Sequence, residues 1–175
     1  MGTGLLMVDE SPMVDESIEI AAPVSRVFDA LGDARTYPHW LVGAKRIRRV
    51  DDEWPSQDSS FHHTVGAGPV TVKDRTTVVE YERPHLLRLR AGVGPLGSAF
   101  VRFVLEDLGA HRTRVVFSEE PEGGVLRFAW GTVGRPLMRL GIWGRNAVSL
   151  ANLKQYVEEG GAASPHDAAG GSSAD

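Results

Sequence analysis

Hydrophobic and polar residues alternate along several segments of the chain, as they do in strands that are buried on one face only. Residues 17–20 (Ser-Ile-Glu-Ile) show this pattern, and they predict a strand that covers residues 14–20. Similar segments rich in Val and Thr predict further strands at 45–50, 59–65, 70–82, 86–91, 97–106 and 113–119. The Gly109-Ala110-His111 turn joins the last two as a hairpin. The pattern therefore predicts about seven strands, six of them consecutive and antiparallel.

Helical periodicity appears on either side of this run of strands. Pro23 opens a first helix whose apolar residues repeat at helical spacing, and Gly32 is placed to end it. A short second helix is predicted over 34–41. After the strands come helical segments at 125–133 and 136–159, separated by Gly134-Arg135-Pro136. Because strands and helices occupy separate parts of the sequence, the predicted fold class is α+β.

The final helix carries two apolar stripes on a helical wheel. One stripe is rich in small residues and comprises Leu137, Leu140, Gly141, Gly144, Val148 and Ala151. The other comprises Ile142, Trp143, Leu150, Leu153 and Val157, with Asn146 on the same side. A helix that is apolar on two sides is expected to be covered on both. The small residues predict either close packing of the helix or room for a ligand between helix and sheet.

The two ends of the chain differ in composition from the body between them. Residues 7–11 (Met-Val-Asp-Glu-Ser) recur at 13–17, and the second copy runs into the first strand. Residues 160–175 contain no Leu, Ile, Val or aromatic residue, so they cannot bury enough apolar surface to offset the entropy of ordering. We therefore expect a disordered leader at 1–12, one folded domain at 13–159 and a disordered tail at 160–175.

Composition and charge exclude several classes of function. The 19 basic and 23 acidic residues give a net charge of -4, which argues against a generally basic nucleic-acid binder. The absence of cysteine excludes disulfides, zinc–thiolate sites and cysteine nucleophiles. No apolar run approaches the roughly 20 residues that span a bilayer. Residues 1–10 contain no Lys or Arg, so a signal peptide is not indicated, and we expect a cytoplasmic protein.

Several short motifs, taken in order, resemble those of one superfamily. They are the run from Ala22-Pro23 through Val27-Phe28 to Leu31, Tyr37-Pro38-His39-Trp40, Val79-Glu80-Tyr81-Glu82-Arg83-Pro84, Thr113-Arg114-Val115, and Arg145-Asn146 with Leu150 and Leu153. Together they resemble the START/polyketide cyclase/birch-pollen-allergen superfamily, and in particular its bacterial polyketide cyclase/dehydrase-like subgroup. His85 departs from the pattern, because a second proline usually follows Pro84. The resemblance extends over about residues 13–159.

The resemblance implies the helix-grip fold, in which a curved antiparallel sheet of about seven strands wraps around a long C-terminal helix. Two short helices follow the first strand in this fold. Members of the superfamily bind hydrophobic small molecules in a cavity between sheet and helix. Some are aromatases, cyclases or dehydratases, and others carry lipids or act as receptors. The fold implies a cavity and does not by itself imply a reaction.

Two adjacent histidines stand on a predicted strand, where neighbouring side chains point to opposite faces. His63 shares a face with Phe61 and Val65, so we expect it, rather than His62, to face the cavity. A neutral imidazole there can act as a general base, or it can be a hydrogen-bonded structural histidine. No metal site is predicted, because zinc and iron need three or four convergent ligands. No cofactor is implied.

Charged residues interrupt two of the apolar strands. Alternation places Asp74 with Val72 and Thr76, and it places Arg102 with Phe100 and Val104. If Arg102 lies on the concave face, it can hold a carboxylate or an enolate of a ligand. The other possibility is the solvent face of an antiparallel sheet, where charges are common. The candidate catalytic pair is His63 and Arg102, and the candidate ligand-binding set also includes Phe61, Asp74 and Phe100.

The remaining candidate ligand-binding residues are apolar wall positions and one polar side chain. The apolar positions are Trp40, Trp130, Met138 and Trp143, which can line the pocket or belong to the core. Asn146 needs a partner if it is buried, and that partner can be ligand, water or backbone. The segment 123–154 contains five basic residues and no acidic one: Arg127, Arg135, Arg139, Arg145 and Lys154. It predicts either a solvated basic face or contact with an anionic membrane surface.

Three functions are therefore consistent with the sequence. The first is binding of a hydrophobic small molecule, such as a polyketide-like, aromatic or lipid ligand, in a cavity between sheet and helix. The second is a cofactor-independent cyclase, aromatase or dehydratase that uses a cavity histidine and arginine. The third is a lipid carrier at the membrane edge or a protein-interaction module. We expect a monomer or a homodimer with no nucleic-acid partner.

Overall fold

A computed structural model of the chain describes residues 14–67, 69–92, 94, 97–122 and 135–161, with side chains of the last segment described from residue 144 onward. The strands are β1 Val14–Ile20, β2 Ala44–Val50, β3 Ser60–Ala67, β4 Val70–Glu82, β5 Leu86–Gly92, β6 Ser98–Gly109 and β7 Arg112–Pro121. The helices are α1 Val24–Gly32, a 3-10 turn at Ala34–Thr36, α2 Tyr37–Trp40 and α3 Arg135–Glu158. The predicted helix at 125–133, the leader at 1–12 and most of the tail lie outside the described residues.

The seven strands form one sheet in the order β1-β7-β6-β5-β4-β3-β2. Every pair of neighbouring strands is antiparallel. Consecutive strands from β2 to β7 are neighbours, while β1 joins the far edge beside β7. This arrangement confirms the predicted α+β class and the helix-grip fold.

One face of the sheet is buried, and the alternation in the sequence determines which side chains it carries. Leu87 of β5 lies opposite Phe103 of β6, and Phe103 lies opposite Phe117 of β7. The rings of Phe103 and Phe117 stack with their centroids 4.7 Å apart. Because every second residue points the same way, Leu89, Leu105 and their strand neighbours join the same layer. We call this layer the inner face.

The short helices after β1 close one side of the core. α1 buries Val27, Phe28 and Leu31, which recur at helical spacing. α2 buries Tyr37 and Trp40, and the Trp40 indole donates a hydrogen bond of 3.0 Å to the Thr36 hydroxyl. These residues confirm the predicted pair of short helices and their apolar faces.

α3 packs on the sheet through one of its two predicted stripes. Asn146, Leu150, Leu153 and Val157 are all buried, and the helix packs most extensively against β1. The described members of the small-residue stripe lie elsewhere, since Val148 is 52% exposed and Ala151 is also exposed. Val148 and Ala151 therefore do not lie between this part of α3 and the sheet.

Side-chain hydrogen bonds connect α3 to the backbone of neighbouring elements. The Lys154 ammonium donates to the Glu19 carbonyl at 2.8 Å, and the Glu158 carboxylate accepts from the Ala21 amide at 2.7 Å. Asn152 donates to the Trp40 carbonyl at 3.3 Å. These bonds orient the helix along the end of β1 and across α2. No helix among the described residues is long and apolar enough to cross a membrane.

The packing of α3 predicts a large difference between two substitutions on the same helix. Leu153→Ala removes a fully buried side chain and is expected to lower the free energy of unfolding by about 2–5 kcal/mol. Val148→Ala, on the exposed side, is expected to change it by no more than about 0.5 kcal/mol. Urea denaturation of both variants measures the difference. Equal losses would show that this helix does not pack through the Leu153 side.

Candidate functional site

A buried histidine lies on the inner face, where β3 and β4 pair. His63 is 6% exposed, and its Nε2 atom lies 2.9 Å from the Thr76 hydroxyl in a hydrogen bond. Its ring contacts that of Phe61 with centroids 5.1 Å apart. Phe61 in turn contacts Tyr37 and Trp54. The expectation that His63 faces inward is confirmed, and the imidazole lies at the edge of an aromatic cluster.

The surroundings of His63 favour its neutral form. Burial lowers the pKa of this imidazole below 6.5, and the nearby Arg48 and His62 lower it further. The Asp74 carboxylate opposes these effects without reversing them. At neutral pH the ring is therefore uncharged. When Nε2 donates to Thr76, Nδ1 carries a lone pair that can accept a proton.

Asp74 lies directly across from His63 on β4, so both belong to the same face. Its carboxylate accepts hydrogen bonds from the backbone amides of Arg75 and Gly94, and thereby holds the β5–β6 connection near the sheet. A Cβ atom at Gly92 would lie 1.8 Å from Asp74 Oδ1, so this approach requires glycine. Asp74 therefore has an evident structural role beside the imidazole.

Small side chains form one row of the inner face, near the end of β5 and the start of β6. Thr76 on β4 lies opposite Ala91 on β5, and Ala91 lies opposite Ala99 on β6. Larger side chains surround this row, with Leu89 and Val101 in the adjacent row. An alanine side chain is only a methyl group, so the side chains of this row rise little above the sheet between β4 and β7. We call the row formed by Thr76, Ala91 and Ala99 the alanine floor.

A second polar group lies where β7 meets α3. Glu119 follows Val115 and Phe117 at alternate positions of β7, so its side chain faces inward, and it is largely buried. The Arg145 guanidinium donates hydrogen bonds to the Glu119 carboxylate and, at 3.0 Å, to the Asn146 side-chain oxygen. This group places a charged pair and a buried amide at the opposite side of the alanine floor from His63.

Arg102 and Phe100 lie on the outer face of the sheet. Arg102 pairs with Arg88 and Ser118, while the buried Phe103 beside it points inward. Together with Glu80, Arg88, Ser118 and Glu120, these two residues line a depression of about 290 Å³. The expectation of a concave-face Arg102 is corrected, because strand alternation puts it on the side opposite His63. One ligand on the inner face cannot contact both.

The other predicted residues have different positions. Trp40 is a core residue whose ring meets Phe103 edge-on at 6.0 Å. Trp130 and the side chains of Met138 and Trp143 lie outside the described part of the chain. Of the predicted basic segment, Arg145 pairs with Glu119, and Lys154 bonds to Glu19 and Glu158. These two cations are therefore engaged within the fold.

An open groove of about 690 Å³ lies apart from these inner-face groups. α1, the 3-10 turn and the β2–β3 connection contribute residues to its lining, among them Asp33, Asp51, Asp52 and Trp54. Neither His63 nor Asn146 contributes to it. Within the described residues, no group of three or more His, Asp or Glu side chains is arranged to hold a metal ion.

Sequence reasoning missed three inner-face polar residues: Thr76 as the partner of His63, Glu119 as the partner of Arg145, and Glu16. Alternation contained the signal for each of them. Glu119 stands at alternate positions with Val115 and Phe117, and Glu16 stands at alternate positions with Ile18 and Ile20, so each carboxyl group shares the face of its apolar neighbours. Arg145 was interpreted as part of a basic surface, and only the packing of α3 shows that its guanidinium reaches β7.

Comparison with known proteins supports the same architecture. The sequence profile of a family described as "Polyketide cyclase / dehydrase and lipid transport" matches residues 11–158. No functionally curated protein matches the chain. Solved structures match over most of their length but at identities that establish the fold alone.

Three of these structures illustrate the similarity. An aromatase/cyclase from Streptomyces sp. R1128 is 16% identical, with a TM-score of 0.64 over 84% of this chain and 93% of that one. A protein from Arthrobacter aurescens is 18% identical, with a TM-score of 0.66 over 90% and 92%. A Polyketide_cyc-like protein from Corynebacterium glutamicum is 20% identical, with a TM-score of 0.59 over 86% and 93%.

The buried neutral His63 predicts a pH effect on stability. The unfolded chain protonates this residue near its ordinary pKa of 6.5, whereas the folded protein resists protonation until the pH is lower. The unfolded state therefore binds more protons as the pH falls through this window, and the free energy of unfolding decreases. Denaturation at pH values from about 7.5 to 5.5 is expected to show a smaller decrease for His63→Gln than for the wild type.

His62→Gln is the matched control, because it changes the neighbouring residue on the other face of the same strand. We expect it to retain most of the wild-type decrease, because it leaves the His63 imidazole buried. An unchanged slope in His63→Gln would mean that burial of the neutral imidazole does not couple to folding.

Proposed function

Since the chain belongs to the polyketide cyclase/dehydrase and lipid transport family, we propose that it binds a hydrophobic small molecule between the inner face of its sheet and α3. Ligands of this type are polyketide-like, aromatic or lipid molecules. The apolar lining supports this proposal, because most of the inner face consists of aliphatic and aromatic side chains. Binding sites for such ligands combine an apolar lining with a few placed polar groups.

The observation that carries the proposal is the presence of polar groups on a face that otherwise forms a hydrophobic core. His63 with Thr76 occupies one side of this face, and Glu119 with Arg145 and Asn146 occupies the other. Burial of polar groups costs free energy, and apolar residues of similar volume would pack without this cost. Their position on both sides of the alanine floor supports a role in ligand recognition.

The alanine floor predicts that a larger side chain at its centre blocks binding. Ala91→Leu adds three carbon atoms above the floor and is expected to weaken the binding of 2-isopropylnaphthalene, an apolar aromatic probe, by about tenfold or more. Equilibrium dialysis of the full chain against the probe measures the dissociation constant.

Ala151→Leu is the control, since it adds the same atoms on the exposed side of α3. It is expected to bind the probe as the wild type does. Equal affinity of Ala91→Leu and the wild type would contradict a site over the floor. Absence of binding to the wild type, together with no retained ligand in native mass spectrometry, would contradict the proposed function.

A second function, a cofactor-independent cyclase or dehydratase, is favoured by the neutral His63. In the tautomer in which Nε2 donates to Thr76, the Nδ1 lone pair can remove a proton from a carbon between two ketones of a poly-β-ketone. The resulting carbanion attacks a distant ketone of the same molecule and forms a carbon–carbon bond. The new alkoxide takes up a proton, and loss of water then gives the unsaturated ring. Arg102, on the outer face, has no part in this scheme.

The cyclase hypothesis predicts a selective loss of turnover in His63→Gln. With nonane-2,4,6,8-tetraone as substrate, the rate of enzyme-dependent ring formation is expected to fall by about 10²–10⁴-fold, as for removal of a general base. Binding of 2-isopropylnaphthalene should change little, because glutamine retains a polar group of similar size. Chromatography of the aromatic product measures the rate.

Arg102→Gln provides the comparison for this experiment, and we expect its rate to equal that of the wild type. If His63→Gln retains full turnover, or if the wild type does not exceed the uncatalysed rate, the cyclase hypothesis fails while ligand binding stands.

A further inference from the structure

The corner where β1, β7 and α3 meet contains the buried side-chain amide of Asn146. Asn146 is 0% exposed, and its side-chain oxygen accepts a hydrogen bond from Arg145. Arginine has only donors, so this contact fixes the amide with its oxygen toward Arg145. The two hydrogens on Asn146 Nδ2 have no partner among the residues that the structure describes.

The same corner contains two more unpaired polar atoms. Arg145 Nε is buried without a partner, although the guanidinium donates to Glu119 through Nη2. Glu16 Oε1 is also buried without a partner. Glu16 lies opposite Phe117 on the inner face, so it is a diagonal neighbour of Glu119. Among the described residues, three of the four buried side-chain polar atoms without partners belong to this corner.

Unpaired buried donors indicate that something else supplies the acceptor. A buried donor without a partner destabilises the folded state, and proteins seldom retain such groups at random. Here the free donors, Asn146 Nδ2 and Arg145 Nε, belong to adjacent residues of α3. Two donors from adjacent residues can together bind one oxygen atom that has two lone pairs.

The charges of the corner restrict what kind of oxygen it accepts. Two carboxyl groups, Glu16 and Glu119, accompany the single guanidinium of Arg145. Arg145 is already paired with Glu119, so its charge is largely compensated. A ligand carboxylate would add a third carboxyl group beside Glu16 and Glu119, and like charges placed close together repel one another. A neutral carbonyl oxygen accepts the same hydrogen bonds without this cost.

We propose that the Arg145–Asn146 corner binds a neutral carbonyl oxygen of the ligand, as in a ketone or a quinone, and discriminates against carboxylates such as fatty acids. This inference rests on the proposed function and makes it more specific. The apolar body of the ligand then extends from the corner across the alanine floor toward His63. The corner acts as a specificity element rather than as the main source of affinity.

Three probes with a common naphthalene body test the proposal. They are 2-acetylnaphthalene, which is a neutral ketone, 2-isopropylnaphthalene, its hydrocarbon analogue of similar shape, and 2-naphthoate, its anionic analogue. Equilibrium dialysis of the full chain gives the dissociation constant of each. We expect the ketone to bind the wild type about tenfold more tightly than the hydrocarbon, with the carboxylate weaker than the ketone.

Asn146→Leu removes the free donor at Nδ2, leaves Arg145 Nε in place and keeps a side chain of similar volume. The preference for the ketone over the hydrocarbon is expected to fall from about tenfold to about twofold or less, while hydrocarbon binding is retained. Asn146→Ala is a second variant with the same expected loss of preference, in case leucine disturbs folding. Gln155→Leu, an exposed polar-to-leucine change on the same helix, is expected to keep the wild-type preference.

The outcomes separate this inference from the proposed function. If the hydrocarbon binds but the ketone has no advantage, or if the Asn146 variants keep that advantage, the corner holds only water and the inference is overturned. Tightest binding of 2-naphthoate would overturn the choice of a neutral oxygen. If none of the three probes binds the wild type and native mass spectrometry shows no retained ligand, the proposed function itself fails, because binding of the hydrocarbon does not depend on the corner.

Discussion

The packing of α3 against the sheet is the constraint on which the rest of the structure depends. Leu150, Leu153 and Val157 are buried at helical spacing, and Asn146 continues the same side one turn earlier. This one face of the helix therefore both completes the core and brings polar groups to it. Lys154 and Glu158 bond to the backbone near the end of β1 and orient the helix lengthwise. The position of Arg145 beside Glu119 follows from that orientation.

The inner face contains both the apolar core and buried polar groups, although polar groups normally destabilise a hydrophobic core. Apolar side chains on β5, β6 and β7 stabilise the fold by burial, while His63 and Glu119 place polar atoms in the same layer. Hydrogen-bond partners stabilise these two polar groups: Thr76 bonds to His63, and Arg145 bonds to Glu119. Neighbouring strands are about 4.8 Å apart, so three strand spacings separate β4 from β7 by about 14 Å. That distance suits an elongated or multi-ring molecule with oxygen functions near its ends.

The orientation of a side chain could be predicted where it depends only on residues close to it in sequence. The inward orientation of His63 followed from its parity with Phe61, because side chains of a strand alternate strictly. For Arg102, the same alternation gave its companions, Phe100 and Val104, but left open which face of the sheet they occupy. The small-residue stripe of α3 left a similar choice open. Two apolar stripes are visible on the helical wheel, and only tertiary packing selects the buried one.

The sequence by itself determined the element order, the fold class, the family and the faces that residues share, since these depend on periodicity and on short local motifs. It did not determine on which face of the sheet Arg102 lies, which stripe of α3 is buried, or that Arg145 reaches Glu119 across 26 positions of sequence. Those features depend on how the helix and the sheet meet, and the energy of that contact is summed over many residues distant in sequence. The unpaired donors of Asn146 and Arg145 are a property of this contact alone.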